Sequence, residues 1–207
     1  MSISPPTLNR LCLYLRSLKR LQEDGVQQIS SQKLAERFHL SAAQIRKDLA
    51  HFGAFGVRGV GYQVDELIPT LTSILRLDRR YRVVVVGMGN LGRAFASHPG
   101  FNRGPFVVVA GVDSDPAKIG ETVNDFVVRD SQFLEEVTRE SGAEIGVLTV
   151  PAHGAQENYE RLAKAGVKGV LNFAPTRIRT IPGVPLKDVD LRIYLEELAY
   201  YLPFDDS

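Results

Sequence analysis

Val83-Val84-Val85-Val86-Gly87-Met88-Gly89-Asn90-Leu91-Gly92-Arg93-Ala94 joins an unbroken apolar run to a glycine-punctuated turn and then to a helix-forming stretch. Four consecutive valines read as a strand buried on both faces of a parallel sheet. Gly87, Gly89 and Gly92 stand in G-x-G-x-x-G spacing. Alone that pattern is weak; between a strand and a helix it marks a dinucleotide turn. The first glycine permits the tight turn. The second lets a pyrophosphate approach the backbone, and the third lets helix and strand pack closely. Phosphates would then meet the free N–H groups of Asn90 and Leu91 at the helix N-terminus, where the dipole favours negative charge.

The same stretch predicts an acid at the end of the next strand, and Asp113 follows Gly92 by 21 residues. Its carboxylate suits the adenosine ribose hydroxyls and would repel a 2′-phosphate, which favours NADH and NAD over their phosphorylated forms. Strands and helices alternate on both sides of this turn. Arg82–Val86, Phe106–Val112, Phe126–Val128, Glu144–Val150 and Gly169–Phe173 read as strands. Asn90–Ser97, Ser131–Glu140 and Ala155–Ala165 read as helices. That alternation predicts an open α/β sheet over residues 81–185. Thr149, Val150 and Pro151, and then Asn172 and Phe173, fall on its carboxyl edge, where they are candidates for the nicotinamide pocket. His153 reads as a polar residue near a helix start. There is one cysteine, and His39, His51, His98 and His153 form no close pair, so no metal spacing emerges.

Residues 1–80 have another character. They carry 12 Lys and Arg against 7 Asp and Glu, a net +5, while residues 81–207 carry 13 against 17, a net −4. A basic front suits a polyanion. Leu8, Leu11, Leu15 and Leu18 follow the helical period up to Gly25. A short helix over Gln32–His39 follows Ser31, and Ser41 reads as the cap of a third, Ala42–His51. This is a helix-turn-helix pattern. Gln44, Arg46 and Lys47 lie in the first turns of the third helix, the part that meets base edges in the major groove. Residues 53–62, with four glycines, predict a small wing on Phe55, Val57 and Val60, with Arg58 aimed at a minor groove. A fourth helix is expected from about Asp65 to Arg80.

The chain has 207 residues, 44% hydrophobic and 24% charged, which is ordinary for a soluble globular protein. Its start lacks a basic region followed by an apolar run, and no apolar run is long enough to span a bilayer. A single Cys12 excludes an intrachain disulfide and fits a reducing, cytoplasmic setting. A dehydrogenase would need a substrate domain with a general acid or base. Only about 35 residues follow the fifth strand, so no catalytic residue is expected. A coenzyme A site is opposed by Asp113, which would repel the ribose 3′-phosphate.

Several matched stretches together resemble the Rex redox-sensing repressors of bacteria. They are Ser41-x-x-Gln44-Ile45-Arg46-Lys47-Asp48-Leu49, Phe52-Gly53-x-Phe55-Gly56-x-x-Gly59-x-Gly61-Tyr62, the glycine turn, Val150-Pro151-Ala152, Asn172-Phe173-Ala174-Pro175 and Val189-Asp190-Leu191 with Tyr200-Tyr201-Leu202. The resemblance implies a winged-helix domain at 1–80, a Rossmann-like NAD(H)-binding domain at 81–185 and, at 186–207, a C-terminal helix exchanged in a homodimer. It implies double-stranded operator DNA with an AT-rich palindrome, bound through Ser41, Gln44, Arg46, Lys47, Arg58, Gly59 and Tyr62. It implies release of that DNA by NADH. Arg16 and Asp188 are candidates for a pair between copies that switches with the cofactor. The family pattern often has a tyrosine before Pro99-Gly100-Phe101; here that residue is His98.

Overall fold

The computed structural model of the chain describes residues 3–53, 56, 60–101 and 104–202. The chain divides into two compact units, Met1–Arg79 and Arg80–Ser207.

The first unit is helical. Helix α1, Pro5–Glu23, starts on Ser4, whose hydroxyl accepts the Thr7 N–H, with prolines in the first turn where a missing N–H costs nothing. Helices α2, Ser31–Glu36, and α3, Ala42–Ala50, each begin on a serine cap. The cap of α2 is Ser30, one residue before the serine picked out by the sequence pattern. Helix α4 covers Val64–Ile74 and stops well short of Arg80. Arg76 has φ +55°, a left-handed conformation that no α-helix continues through. Two two-residue strands, β1 Gln28–Ile29 and β2 Tyr62–Gln63, pair antiparallel. Leu11, Tyr14, Leu18, Leu34, Ile45, Leu49 and Leu71 fill the core between the helices. Of the expected wing, Phe55, Val57, Arg58 and Gly59 lie outside the described residues.

The second unit is built on six parallel strands: β3 Tyr81–Val86, β4 Phe106–Asp113, β7 Arg129–Asp130, β8 Ile145–Leu148, β9 Gly169–Asn172 and β10 Leu186–Asp188. A separate antiparallel pair, β5 Thr122–Val123 and β6 Phe126–Val127, lies between β4 and β7 in the chain. The sheet runs β10-β9-β8-β3-β4-β7. Chain order therefore reverses at β3, and this is the 3-2-1-4-5-6 order of the doubly wound dinucleotide fold. Helix α5, Asn90–Ser97, follows β3; α6, Leu134–Glu140, follows β7; α7, Ala152–Ala165, follows β8. The four valines of β3 are split by the pleat. Val84 and Val86 join Leu134, Tyr159 and Leu162 on one side, while Val83 and Val85 join Ala96, Phe126 and Val128 on the other.

The sequence reading closed this unit at residue 185, but β10 extends the sheet to Asp188. Helix α8, Leu191–Tyr200, begins on Asp190 and has no buried residue. No helix among the described residues is long and apolar enough to cross a membrane.

Candidate nucleotide and DNA-reading sites

The glycine turn sits at the carboxyl end of β3, where β4 and β8 flank it. Crevices at such reversal points are where open α/β sheets take ligands. Gly87 has φ +92°, and a side chain there would also meet the Thr149 carbonyl. Gly92 packs directly on the Gly87 carbonyl, leaving no room for a Cβ. Gly89 differs: a Cβ there would meet nothing within 4 Å. Its surroundings are open, as they must be if a pyrophosphate is to lie against the backbone. Asn90 and Leu91 are exposed in the first turn of α5 beside that opening. The residues present thus fit a dinucleotide.

Hydrogen bonds within the chain hold the loop. Asp113 Oδ2 accepts the Met88 N–H at 2.6 Å, and Arg93 Nε donates to the Met88 carbonyl at 3.1 Å. The buried Met88 peptide is therefore gripped at both ends. Thr149 Oγ1 donates to Gly87 O at 2.6 Å, so this hydroxyl serves the turn. Asp113 is 7% exposed, its Oδ1 accepts the Asp115 N–H, and Lys118 Nζ lies 3.3 Å from its Oδ2. Asp113 thus stands at the strand end where the motif predicts an acid, but with a cation beside it that spacing alone does not reveal. Asp115 also pairs with Lys118, and its backbone hydrogen bond from Ala117, then Lys118, holds its carboxyl below the usual range.

On the far side of β3, Val150 is half-buried and Pro151 is exposed at the start of α7. Asn172 is 1% exposed and fully engaged. Its Nδ2 donates to Asp188 Oδ1 at 2.8 Å and to Ala174 O at 3.2 Å, and its Oδ1 accepts the Ala174 N–H. Phe173 meets Phe95 edge-on, with ring centroids 6.1 Å apart, and Phe95 stacks on Phe101 at 4.8 Å. His98 is exposed; its Nδ1 accepts the Gly100 N–H, and its ring lies 5.7 Å from that of Phe101.

In the first unit, Ser41 caps α3 by accepting the Gln44 N–H at 3.1 Å. Arg46 and Lys47 are exposed, and Arg46 Nη1 donates to Ser31 Oγ at 3.0 Å. Tyr62, placed among the DNA-facing residues by sequence, is 6% exposed with its ring in the core. Arg16 is exposed on α1, where with Lys19, Arg20 and Arg37 it lines a groove that also takes in Leu13, Glu23 and Phe38. What sequence reasoning left without a role is Asp48, 4% exposed and hydrogen-bonded to Arg10, Tyr14 and Gln44. A signal existed: the spacing Ile45, Asp48, Leu49 puts a carboxylate on the apolar side of the helix, where it must find partners.

Residues 2–50 match the family model described as putative DNA-binding protein N-terminus, and residues 78–176 match that of a CoA binding domain. The redox-sensing transcriptional repressor Rex of Carboxydothermus hydrogenoformans is 44% identical over 203 residues, covering 98% of both chains. Rex 1 of Thermotoga maritima is 45% identical over 199 residues, covering 96% of this chain and 95% of its own. The crystal structure of RSP in complex with β-NAD+ and operator DNA superposes with a TM-score of 0.91 at 36% identity, covering 97% of this chain and 92% of that one. RSP in complex with β-NADH superposes with a TM-score of 0.89 at 34% identity, covering 97% and 94%. Full-length identity of this order, over both the helical unit and the glycine-turn sheet, places the chain in the Rex family of redox-sensing transcriptional repressors.

Proposed function

We propose that this chain is a cytoplasmic repressor that binds operator DNA as a homodimer and is released by NADH. The observation that carries the reading is the open backbone at Gly89 beside the buried Asp113 carboxylate, in a chain whose other unit is a helix-turn-helix. Gly87, Gly89, Asn90, Leu91 and Gly92 hold the pyrophosphate, and Asp113 holds the adenosine ribose. Thr149, Val150, Pro151, Asn172 and Phe173 line or brace the nicotinamide end. NADH and NAD differ there by one positive charge and by ring planarity. One of them releases DNA only by binding the DNA-incompetent arrangement more tightly than the competent one. Relatives of this fold carry the name of a coenzyme A domain, but Asp113 opposes the 3′-phosphate of that ligand. Titration calorimetry with NADH, NAD, NADPH and coenzyme A tests the site. NADH binding with weak or absent binding of the two phosphorylated ligands is expected; coenzyme A as the tightest ligand would overturn it.

On the DNA side, Ser41, Gln44, Arg46 and Lys47 meet the major groove, with Arg58 and Gly59 in the wing. Arg46→Ala is expected to weaken cognate binding by about 1–3 kcal/mol while barely changing binding to random duplex. An equal loss on both would make Arg46 a phosphate contact.

The exchanged arm is α8. Its Leu191, Ile193, Tyr194, Leu195 and Leu198 are 50–66% exposed, and an apolar helix in that state calls for a partner surface. The partner is a second copy. Glu196 and Glu197 on the helix complement Arg16, Lys19, Arg20 and Arg37 around the groove on α1. Arg16 of one copy and Asp188 of the other form the switching pair. A double-mutant cycle on these two residues, read as the NADH effect on DNA affinity, is expected to give a coupling energy that differs between cofactor states; near zero in both would remove the pair.

A further inference from the structure

Asp48 lies on the inward side of α3, and its carboxylate is saturated. Arg10 Nε donates to Oδ2 at 2.6 Å and Arg10 Nη2 to Oδ1 at 2.8 Å. Tyr14 Oη donates to Oδ2 at 2.8 Å, and Gln44 Nε2 to Oδ1 at 2.8 Å. An ionised carboxylate has about four acceptor sites, and four donors fill them. Burial pushes the Asp48 carboxyl up, but the hydrogen bonds from Arg10, Tyr14 and Gln44 outweigh it and hold the group below the usual range. Tyr14 is fully buried, and Arg10 is steadied in turn by Thr7.

Arg10 and Tyr14, both on α1, supply three of the four donors. The fourth donor is of another kind, because Gln44 is half-buried in the first turn of α3, two residues from Arg46. A carboxylate accepts and cannot donate. It therefore dictates which end of the Gln44 amide turns inwards: Nε2 faces Asp48. One N–H and Oε1 remain, a donor beside an acceptor. Adenine offers the complementary pair at N7 and N6, whereas guanine offers two acceptors, N7 and O6. An amide free to turn over would meet guanine with nitrogen alone. One pinned by Asp48 keeps its oxygen committed.

We propose that Arg10, Tyr14 and Asp48 are positioning residues that lock the Gln44 amide in the orientation that reads adenine and refuses guanine. The proposal rests on the reading of α3 as the helix that enters the major groove. It makes base selection a property of helix α1 as well as of α3, since two of the three residues that set it lie on α1. Pinning also removes rotamer freedom from Gln44 before DNA arrives, which lowers the entropy cost of the contact.

The test uses the full-length chain and duplexes recovered by selection from a random library. Gln44→Ala identifies the base pair that Gln44 reads, as the position where preference collapses. At that position, Asp48→Asn offers an N–H that Oε1 can accept, so the amide can flip. Adenine-over-guanine preference is expected to fall about tenfold, the scale of one bidentate contact. The slope of affinity against salt should stay as in the parent, because no phosphate contact is touched. Tyr14→Phe, which keeps the carboxylate and Arg10, should show a smaller fall of the same kind and serves if Asp48→Asn does not fold. Equal loss on adenine and guanine duplexes would make the network structural only and overturn the proposal. Preference lost in Gln44→Ala but kept in Tyr14→Phe and in any folded Asp48→Asn would overturn the positioning role while leaving the Gln44 contact intact. No preference lost at any position in Gln44→Ala would remove the contact itself.

Discussion

Two glycines of one turn do opposite work, and a methyl group tells them apart. A Cβ at Gly92 would run into the Gly87 carbonyl, so Gly92→Ala forces helix α5 away from β3. Overpacking of this kind costs about 1–3 kcal/mol. In a chain of this length that lowers Tm by about 2–4 °C per kcal/mol, readable by calorimetry. A Cβ at Gly89 meets open space. Gly89→Ala should leave Tm unchanged and weaken NADH binding; unchanged NADH affinity would mean that the pyrophosphate does not pass there. Asp113→Ala should weaken NADH and relax discrimination against NADPH, all the more because Lys118 would then keep only the exposed Asp115 as its partner. If both affinities stay as they were, the ribose contact is elsewhere. Gly87, Gly89, Gly92 and Asp113 were legible because motif, strand and helix agree. Lys118, Arg93 and Asp48 were not. Their roles depend on which side chains a fold brings face to face, and charged residues at ordinary surface frequency carry no period of their own.

Among the elements, long and periodic ones were readable and short ones were not. Strand β3 and helix α1 each carry an apolar pattern long enough to fix their type. Strands β1, β2 and β10, of two or three residues, show none, so Leu186–Asp188 passed as the lead-in to a helix. Helix α4 reads as running to Arg80, but the left-handed Arg76 stops it first. One pair of elements carries a pH signature. Arg161 of α7 clamps Glu135 of α6 through Nε at 2.9 Å and Nη2 at 2.6 Å, and Nη2 also reaches the Gln132 carbonyl. The Arg161 hydrogen bonds hold the Glu135 carboxyl at about 2, against an ordinary 4.5. A carboxyl lowered on folding stabilises the fold above its unfolded value, and that stability is lost as pH falls through the folded value. Both side chains are about one-fifth exposed, so solvent trims the effect to about 1 kcal/mol or less. Glu135→Gln should lower Tm by a few degrees at about pH 7, and the gap to the parent should close toward about pH 2. A gap that stays constant with pH would show that packing, not charge, is what Glu135 supplies.

For the whole molecule the decisive element is α8. A ten-residue helix with no buried residue gains nothing from water, and Tyr200, Tyr201 and Leu202 extend its apolar surface at 65–81% exposure. Fully burying one such large side chain is worth about 1.5–3 kcal/mol, so several in register supply enough to hold a second copy. A two-fold protein also suits a palindromic operator, because each half-site takes one recognition helix at a spacing that the dimer sets. Deleting residues 190–207 removes this helix and leaves the six-stranded sheet, whose last strand ends at Asp188. Analytical ultracentrifugation of the truncated chain should give a monomer in place of a dimer. Fluorescence anisotropy should show operator affinity close to that for random duplex, since one half-site contact remains where two acted together. NADH binding should survive, because the glycine turn, Asp113 and the strands that flank them are untouched; retained NADH affinity is the control that the sheet still folds. A truncated chain that sediments as a dimer and still releases operator on adding NADH would place the dimer contact elsewhere and rule out the exchanged arm as the link between cofactor and DNA.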